Sequence, residues 1–316
     1  MTLANIARSL LRFVVMLGVA SILIFMLLRA VPGDPARIAL GVTASEEDVA
    51  KLAAQLGTDR SLVVQYLDWM RGLLTGDFGV SLASKQDITP MVWDRVQVSL
   101  ILTVCAMILS LLIAIPVGTY LARRHRKVDA AVVSALTQVG IAVPSFLVGI
   151  LAVAVFSVWL GWLPANGWVP PNADFGGFIS HLILPVVALT LVQAAILTRY
   201  VRSALLEEMG KDYVRTARAV GLSTRKVLYR HALRNAALPV LTVTGLQLTS
   251  LIVGAVVIER VFAIPGIGSM LLDAVATRDL TTVQTLMMLL VVFTLAVTLL
   301  VDVLYRIIDP RLRRQA

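Results

Sequence analysis

The sequence predicts an all-α integral membrane protein, and three observations carry that prediction. Of 316 residues, 58% are hydrophobic and 15% charged, against about 45–50% and about 25% in soluble domains. The mean hydropathy is +0.87. Stretches free of Asp, Glu, Lys and Arg recur along the chain, most of them reaching the roughly 20 residues that a helix needs to cross about 30 Å of hydrocarbon. They are continuously apolar over several turns, whereas membrane-barrel strands alternate within segments of about ten residues. This composition excludes a disordered chain, a disulfide scaffold and most water-soluble enzymes.

Six crossings are expected. The first uses residues 13–28, between Arg12 and Arg29; it is short, and both arginines can reach the interface along their aliphatic stems. Arg8 and Arg12 ahead of an apolar run also resemble a secretory leader. The run is longer than a leader core, and Arg29-Ala-Val-Pro-Gly-Asp-Pro35 offers no small-x-small cleavage site, so an uncleaved anchor is expected. The second crossing is 96–122. The window 130–173 is too long for one helix and breaks at the Pro-, Gly- and Trp-rich stretch 161–171, which ends the third helix near Leu160. The remaining crossings are 175–198, 235–258 and 280–301. Pro116, Pro144, Pro185 and Pro239 fall inside or at the start of spans, which membrane helices tolerate where neighbours satisfy the freed carbonyls.

Loop charge sets orientation, because Lys and Arg accumulate on the cytoplasmic side. The N-terminus, the Arg123–Lys127 connection, the 199–235 segment and the Arg306–Arg314 tail are all basic and fall on one side of a six-helix topology. In residues 31–94 acids outnumber bases. Both termini are therefore expected in the cytoplasm. The domain reading is 1–30 for the N-terminus and first helix, 31–95 for an external helical segment, and 96–316 for a five-helix core carrying the cytoplasmic segment 199–235. Within the external piece, Ser45 is an expected N-cap and Gly57 an expected stop around Val49, Leu52, Ala53 and Leu56 at helical spacing. A second short helix is expected over 63–74.

The net charge of +9 is dispersed between apolar stretches, so no nucleic-acid face forms. Cys105 is the sole cysteine, which rules out an intrachain disulfide. No phosphate loop, zinc-protease helix, paired-cysteine motif or nucleophile elbow is present. His125, His181 and His231 are scattered, so no metal site is expected. Asp302 lies four residues before Arg306, the spacing of a pair on one helical face. Gln138, Gln193, Gln247 and Gln284 fit a polar path equally well as they fit helix-to-helix adhesion. Scarce intramembrane charge argues against an ion-driven carrier.

The segment from Asp212 to Pro239 resembles the cytoplasmic "EAA" loop of ABC importer permeases, in the version found in the dipeptide, oligopeptide and nickel permease family. Val31-Pro-Gly-Asp-Pro35, the segments 72–81 and 258–268, and Asp309-Pro-Arg311 are similar to that family's segments in its order. The long external segment after the first helix resembles the "B" member of the permease pair. Arg215, Thr216 and Ala217 stand where Glu-Ala-Ala occurs in the general pattern, and Leu238-Pro239 lies beyond the expected Leu-Pro position near Leu233-Arg234; the peptide branch shares this departure.

The resemblance implies a type I importer fold and a subunit without catalysis of its own, moving peptides by alternating access. ATP and magnesium would sit on two partner ATPase subunits, alike or different, with no cofactor in this chain. A related second permease and an external binding protein or lipoprotein complete the implied partners, besides membrane lipid. The ATPase-coupling residues implied are Arg215, Thr216, Ala217, Arg218, Ala219, Gly221, Leu222, Ser223, Arg225 and Lys226. The small residues Ala217, Ala219 and Gly221 permit close approach and a turn, and Ser223 is an expected N-cap. Alone, this basic loop also fits an anchor on anionic headgroups; the other matching segments favour docking. Glu259, Phe262, Pro265, Gly266 and Gly268 are the implied external gate or binding-protein contact, and Pro265–Gly268 reads equally as a purely structural sharp turn. Gln138, Gln193 and Gln247 are the candidate path. Nickel, glutathione or another small solute is the alternative cargo, and a stand-alone secondary transporter the alternative class; that class predicts repeats and intramembrane charges, neither of which is evident.

Overall fold

In the computed structural model the backbone is described for residues 3–30, 35–41 and 44–308. The matching segments 31–34 and 309–311 therefore lie outside the described residues, as does the Arg306 side chain expected to pair with Asp302. The helices are α1 (Leu3–Arg29), α2 (Pro35–Leu40), α3 (Glu46–Leu56), α4 (Leu62–Thr75), α5 (Thr89–Arg123), α6 (Val128–Ala142), α7 (Ser145–Ala152), α8 (Phe175–Met209), α9 (Asp212–Ala219), α10 (Thr224–Val227), α11 (Leu233–Val261), α12 (Ile267–Ala276) and α13 (Leu280–Ile308). Among the described residues, β pairing is confined to an isolated antiparallel bridge between Val80 and Asp87.

Five helical spans are long and apolar enough to cross a membrane, and a sixth crossing results when α6 and α7 count as one bent span. The third expected helix is thus not a single rod. Pro144 has no N–H to donate and disfavours helical geometry in the residue before it. Val143 accordingly turns extended, at φ −86° and ψ 123°, and the two halves meet at 96°. Pro116, Pro185 and Pro239 lie inside α5, α8 and α11 without ending them. Two stretches widen into π-helix: Val153–Trp159 continues α7, and Leu228–Ala232 joins α10 to α11.

The external helices form as their sequence dictates. Ser45 Oγ accepts the Asp48 N–H, and Gly57 ends α3 at φ 67°, a left-handed conformation that glycine adopts at little cost. α4 spans one residue more at each end than expected and also closes on a left-handed glycine, Gly76.

The chain divides into two compact units. Among the described residues, one comprises 99–265 and 297–308. Here α8 packs against α11, α6 and α7. Small residues set the closest approaches: a Cβ on Gly118 would lie 2.7 Å from the Val201 side chain, and one on Gly149 would lie 3.0 Å from the Phe262 ring. Such gaps let membrane helices pack closely where lipid gives no hydrophobic drive. Thr190 Oγ1 reaches from α8 to the Ala106 carbonyl at 3.4 Å, and Ser110 Oγ donates to the same carbonyl at 2.6 Å.

The other unit comprises the described residues within 3–98 and 266–296. Tyr66 on α4 shares a 2.8 Å hydrogen bond with Ser21 on α1, and the Tyr66 and Trp69 rings pack on Phe25. Phe78, Ile88 and Val92 form a core with Ile267, Met270 and Leu286. Asp279, 4% exposed, caps the start of α13 and closes this unit. Its carboxylate accepts from Ser81 Oγ at 2.5 Å, Leu82 N at 3.0 Å, Thr282 N at 3.3 Å and Thr282 Oγ1 at 2.7 Å.

Candidate functional site

The connection from α8 to α11 is an elbow built on a buried apolar seat. Val201 and Leu205 from α8 pack with Ala122 of α5 and with Leu228, Ala232 and Ala236. Val214 and Val227, the inward residues of α9 and α10, are also buried. Both short helices are therefore anchored by one apolar side chain each, and their polar faces turn outward. Between them Gly221 takes φ 91°, a conformation in which a Cβ would clash with the backbone by roughly 1–2 kcal/mol. Ser223 then caps α10, its Oγ accepting the Lys226 N–H at 3.3 Å.

A polar clasp closes the base of the elbow. Glu208, 7% exposed at the end of α8, accepts from the Tyr213 hydroxyl at 2.7 Å and pairs with Lys211. Asn235 of α11 sits beside both Glu208 and Tyr213. Burial, and then the bond to Glu208, hold the Tyr213 phenol above its ordinary range. The clasp thus gathers the end of α8, the start of α9 and the start of α11.

Of the predicted elbow residues, Arg215, Thr216, Arg218, Ala219, Gly221, Ser223, Arg225 and Lys226 are exposed, while Ala217 and Leu222 are half-buried. Val220 at the tip is 79% exposed. Ser223, Arg225, Lys226, Tyr229 and Arg230 line a shallow, open depression beside it. An apolar tip ringed by guanidinium and ammonium groups is suited to docking on a surface with apolar and acidic groups. Glu208, Tyr213 and Asn235 escaped sequence reasoning. Tyr213 and Glu208 stand five apart, but a helix break lies between them, so helical spacing gives no sign of the contact.

The other predicted residues lie elsewhere. Glu259 and Phe262 are each 1% exposed, and Ser99 Oγ donates to the Glu259 carboxylate at 2.6 Å. The Phe262 carbonyl accepts the Gly167 N–H at 2.8 Å, which pins the Pro/Gly-rich connection to the end of α11. Pro265 is half-buried; Gly266 and Gly268 are buried at the start of α12. Gly266 is extended, with φ −103°, and the sharp bend falls instead on Ala263, at φ 48°. Gln193 is buried in α8, Gln247 half-buried in α11, and Gln138 exposed on α6. Among the described residues no hydrogen bond joins the three, and the Gln193 amide nitrogen has no partner.

Long apolar spans joined by such an elbow define a polytopic helical membrane protein. Residues 114–314 match the family model described as binding-protein-dependent transport system inner membrane component, and residues 2–103 match its N-terminal companion. The chain belongs to this family and is a multi-pass inner-membrane permease of an ABC importer. It is 37% identical over 311 residues to the oligopeptide transport system permease protein AppB of Bacillus subtilis, covering 97% of this chain and 98% of that one. It is 36% identical over 308 residues to the glutathione transport system permease protein GsiC of Salmonella choleraesuis, covering 98% of each. Among solved structures, an inward-facing MetNI methionine ABC transporter chain matches 70% of this chain and 98% of its own, with 20% identity and a TM-score of 0.58. That likeness is one of fold.

Proposed function

We propose that this chain is a non-catalytic permease subunit for peptide import, driven through its elbow by ATPase partners that carry the ATP and magnesium. The observation that supports this most directly is the elbow itself: an exposed tip, Val220 and Gly221, held on two buried valines and a clasp that reaches both α8 and α11. A push at the tip is delivered to two long helices at once, as a rigid-body switch between packings requires. Arg215, Thr216, Ala217, Arg218, Ala219, Leu222, Ser223, Arg225 and Lys226 supply the rest of the docking surface.

In this reading the elbow and both termini are cytoplasmic, as the basic loops favour. A related permease pairs with this chain, and an external binding protein delivers cargo onto residues 31–95 and the 259–279 region. Glu259, Phe262, Pro265, Gly266 and Gly268, mostly buried, are assigned to the outer gate. Gln138, Gln193 and Gln247 are assigned to the path, with the unpartnered Gln193 amide its best candidate for touching cargo. Peptide is favoured because several relatives named for peptide or oligopeptide transport match at 36–42% identity nearly end to end; the glutathione relative supports a small peptide-like solute as the second reading. Reconstitution into vesicles tests the proposal: peptide uptake should require the ATPase subunits, ATP and the binding protein together. Uptake by the permease alone would overturn it.

A further inference from the structure

The unit formed by the described residues within 3–98 and 266–296 contains a cleft of about 350 Å³, a volume typical of small-molecule sites, which run from about 300 to 1,000 Å³. Its lining includes Arg29, Gln65, Asp68, Trp69 and Asp77. Four buried side-chain polar atoms lack a hydrogen-bond partner among the described residues, and three of them belong to this lining: Arg29 Nε, Trp69 Nε1 and Gln65 Oε1. Buried polar atoms in folded proteins are nearly always paired, so three together mark a place built for another molecule.

The chemistry of the three is specific. Arg29 and Trp69 offer donors, and no carboxylate among the described residues forms an ion pair with Arg29. Gln65 spends its amide N–H groups on the Thr58 and Arg60 carbonyls, at 3.1 and 2.7 Å, which leaves its oxygen as an acceptor. Trp69 is held between Phe25 and Tyr66, with ring centroids 6.3 and 6.2 Å away. Arg29 lies over the Phe25 ring at 5.3 Å. Within the lining Arg60 pairs with Asp68 at 3.1 Å, which leaves Arg29 against Asp77 and a net charge of zero. Donors beside an acceptor in a cleft of zero net charge fit a zwitterion.

Position selects its source. The apolar span Ala7–Arg29 has 23 residues, or about 35 Å at 1.5 Å per residue, so Arg29 stands where hydrocarbon gives way to headgroups about 30 Å from the other face. Leu23, Met26 and Leu27, in the last two turns before it, are all more than half exposed. We propose that this cleft binds the headgroup of a zwitterionic phospholipid, its phosphate on Arg29 and the Trp69 indole N–H and its ammonium toward the Gln65 oxygen and Asp77, the lining carboxylate that does not pair with Arg60. That the lipid belongs to the outer leaflet rests on the orientation proposed above; the site itself does not.

The test is native mass spectrometry of the full-length chain in mild detergent, titrated with dihexanoyl phosphatidylethanolamine. The wild type should retain one lipid. Trp69→Phe keeps the ring and removes only the donor, so affinity should fall about tenfold, the order expected for a lost hydrogen bond to a charged group. Arg29→Gln should fall further, and Trp162→Phe, in the other unit, should bind as the wild type does. Equal retention by wild type and Trp69→Phe would overturn the proposal. So would equal binding of glycerophosphoethanolamine without chains, preference for phosphatidylglycerol, or displacement of the lipid by a dipeptide.

Discussion

The Tyr213 hydroxyl donates to the Glu208 carboxylate at 2.7 Å, fastening the first turn of α9 to the last turn of α8. Replacing Tyr213 by Phe removes that donor and leaves the carboxylate with Lys211 and Asn235, at a cost of about 1.5 kcal/mol. Hydrogen exchange should show faster opening of residues 212–219, and uptake should fall relative to ATP hydrolysis. The phenol is held above its usual value near about 10. The bond therefore contributes fully below that value and is lost as pH rises through the folded one. Protection of α9, corrected for intrinsic exchange, should stay level from pH 6 to 9.

Gly221→Ala tests the turn. Nothing lies within 4 Å of the added Cβ, so the cost, about 1–2 kcal/mol, comes from the left-handed backbone alone. Gly210 is right-handed at φ −84° and provides the control. Peptide uptake by reconstituted transporter should drop for Gly221→Ala and hold for Gly210→Ala.

Gly118→Ala puts a methyl 2.7 Å from Val201, and overpacking of this kind costs about 1–3 kcal/mol. Val201 Cβ and Cγ1 both lie at that distance, with the Thr198 carbonyl at 3.0 Å, so Val201→Gly, which removes both carbons, should relieve most of the collision. A double-mutant cycle by thermal unfolding in detergent should show favourable coupling of the pair. Additive losses would place the strain elsewhere.

Asp279→Asn tests the closure of the smaller unit. The amide replaces one acceptor oxygen with a donor facing donors from Ser81, Leu82 or Thr282. About 3 kcal/mol should be lost, seen as a lower unfolding midpoint and as faster proteolysis within residues 76–88.

Local signals were legible in the sequence. Ser45 and Gly57 bound α3 as expected because capping depends on a few consecutive residues, and Ser223 caps α10 for the same reason. The apolar spans were legible because bilayer thickness fixes their length. Pro144 read as a proline that a membrane helix tolerates, and the 96° break there was not legible, because a bend of that size depends on what the two halves pack against. The Ser81–Asp279 contact joins residues 198 apart, and no periodicity connects them. The sharp turn was expected at Pro265–Gly268 because proline and glycine cluster there; the left-handed residue is Ala263, between the buried Phe262 and Ile264. The clasp at Glu208 was hidden because a carboxylate in a basic loop reads as a solvated charge until its burial is seen.

The widened turn at Leu228–Ala232 has a consequence for chain length. A π turn holds one residue more than an α turn spanning the same rise. Deleting exposed Tyr229 or Arg230 tightens the coil and leaves the faces of α10 and α11 in phase. Deleting a residue within α11 rotates everything after it by about 100°. Insertions and losses between homologous chains should therefore concentrate at this point, where the ladder carries a spare rung.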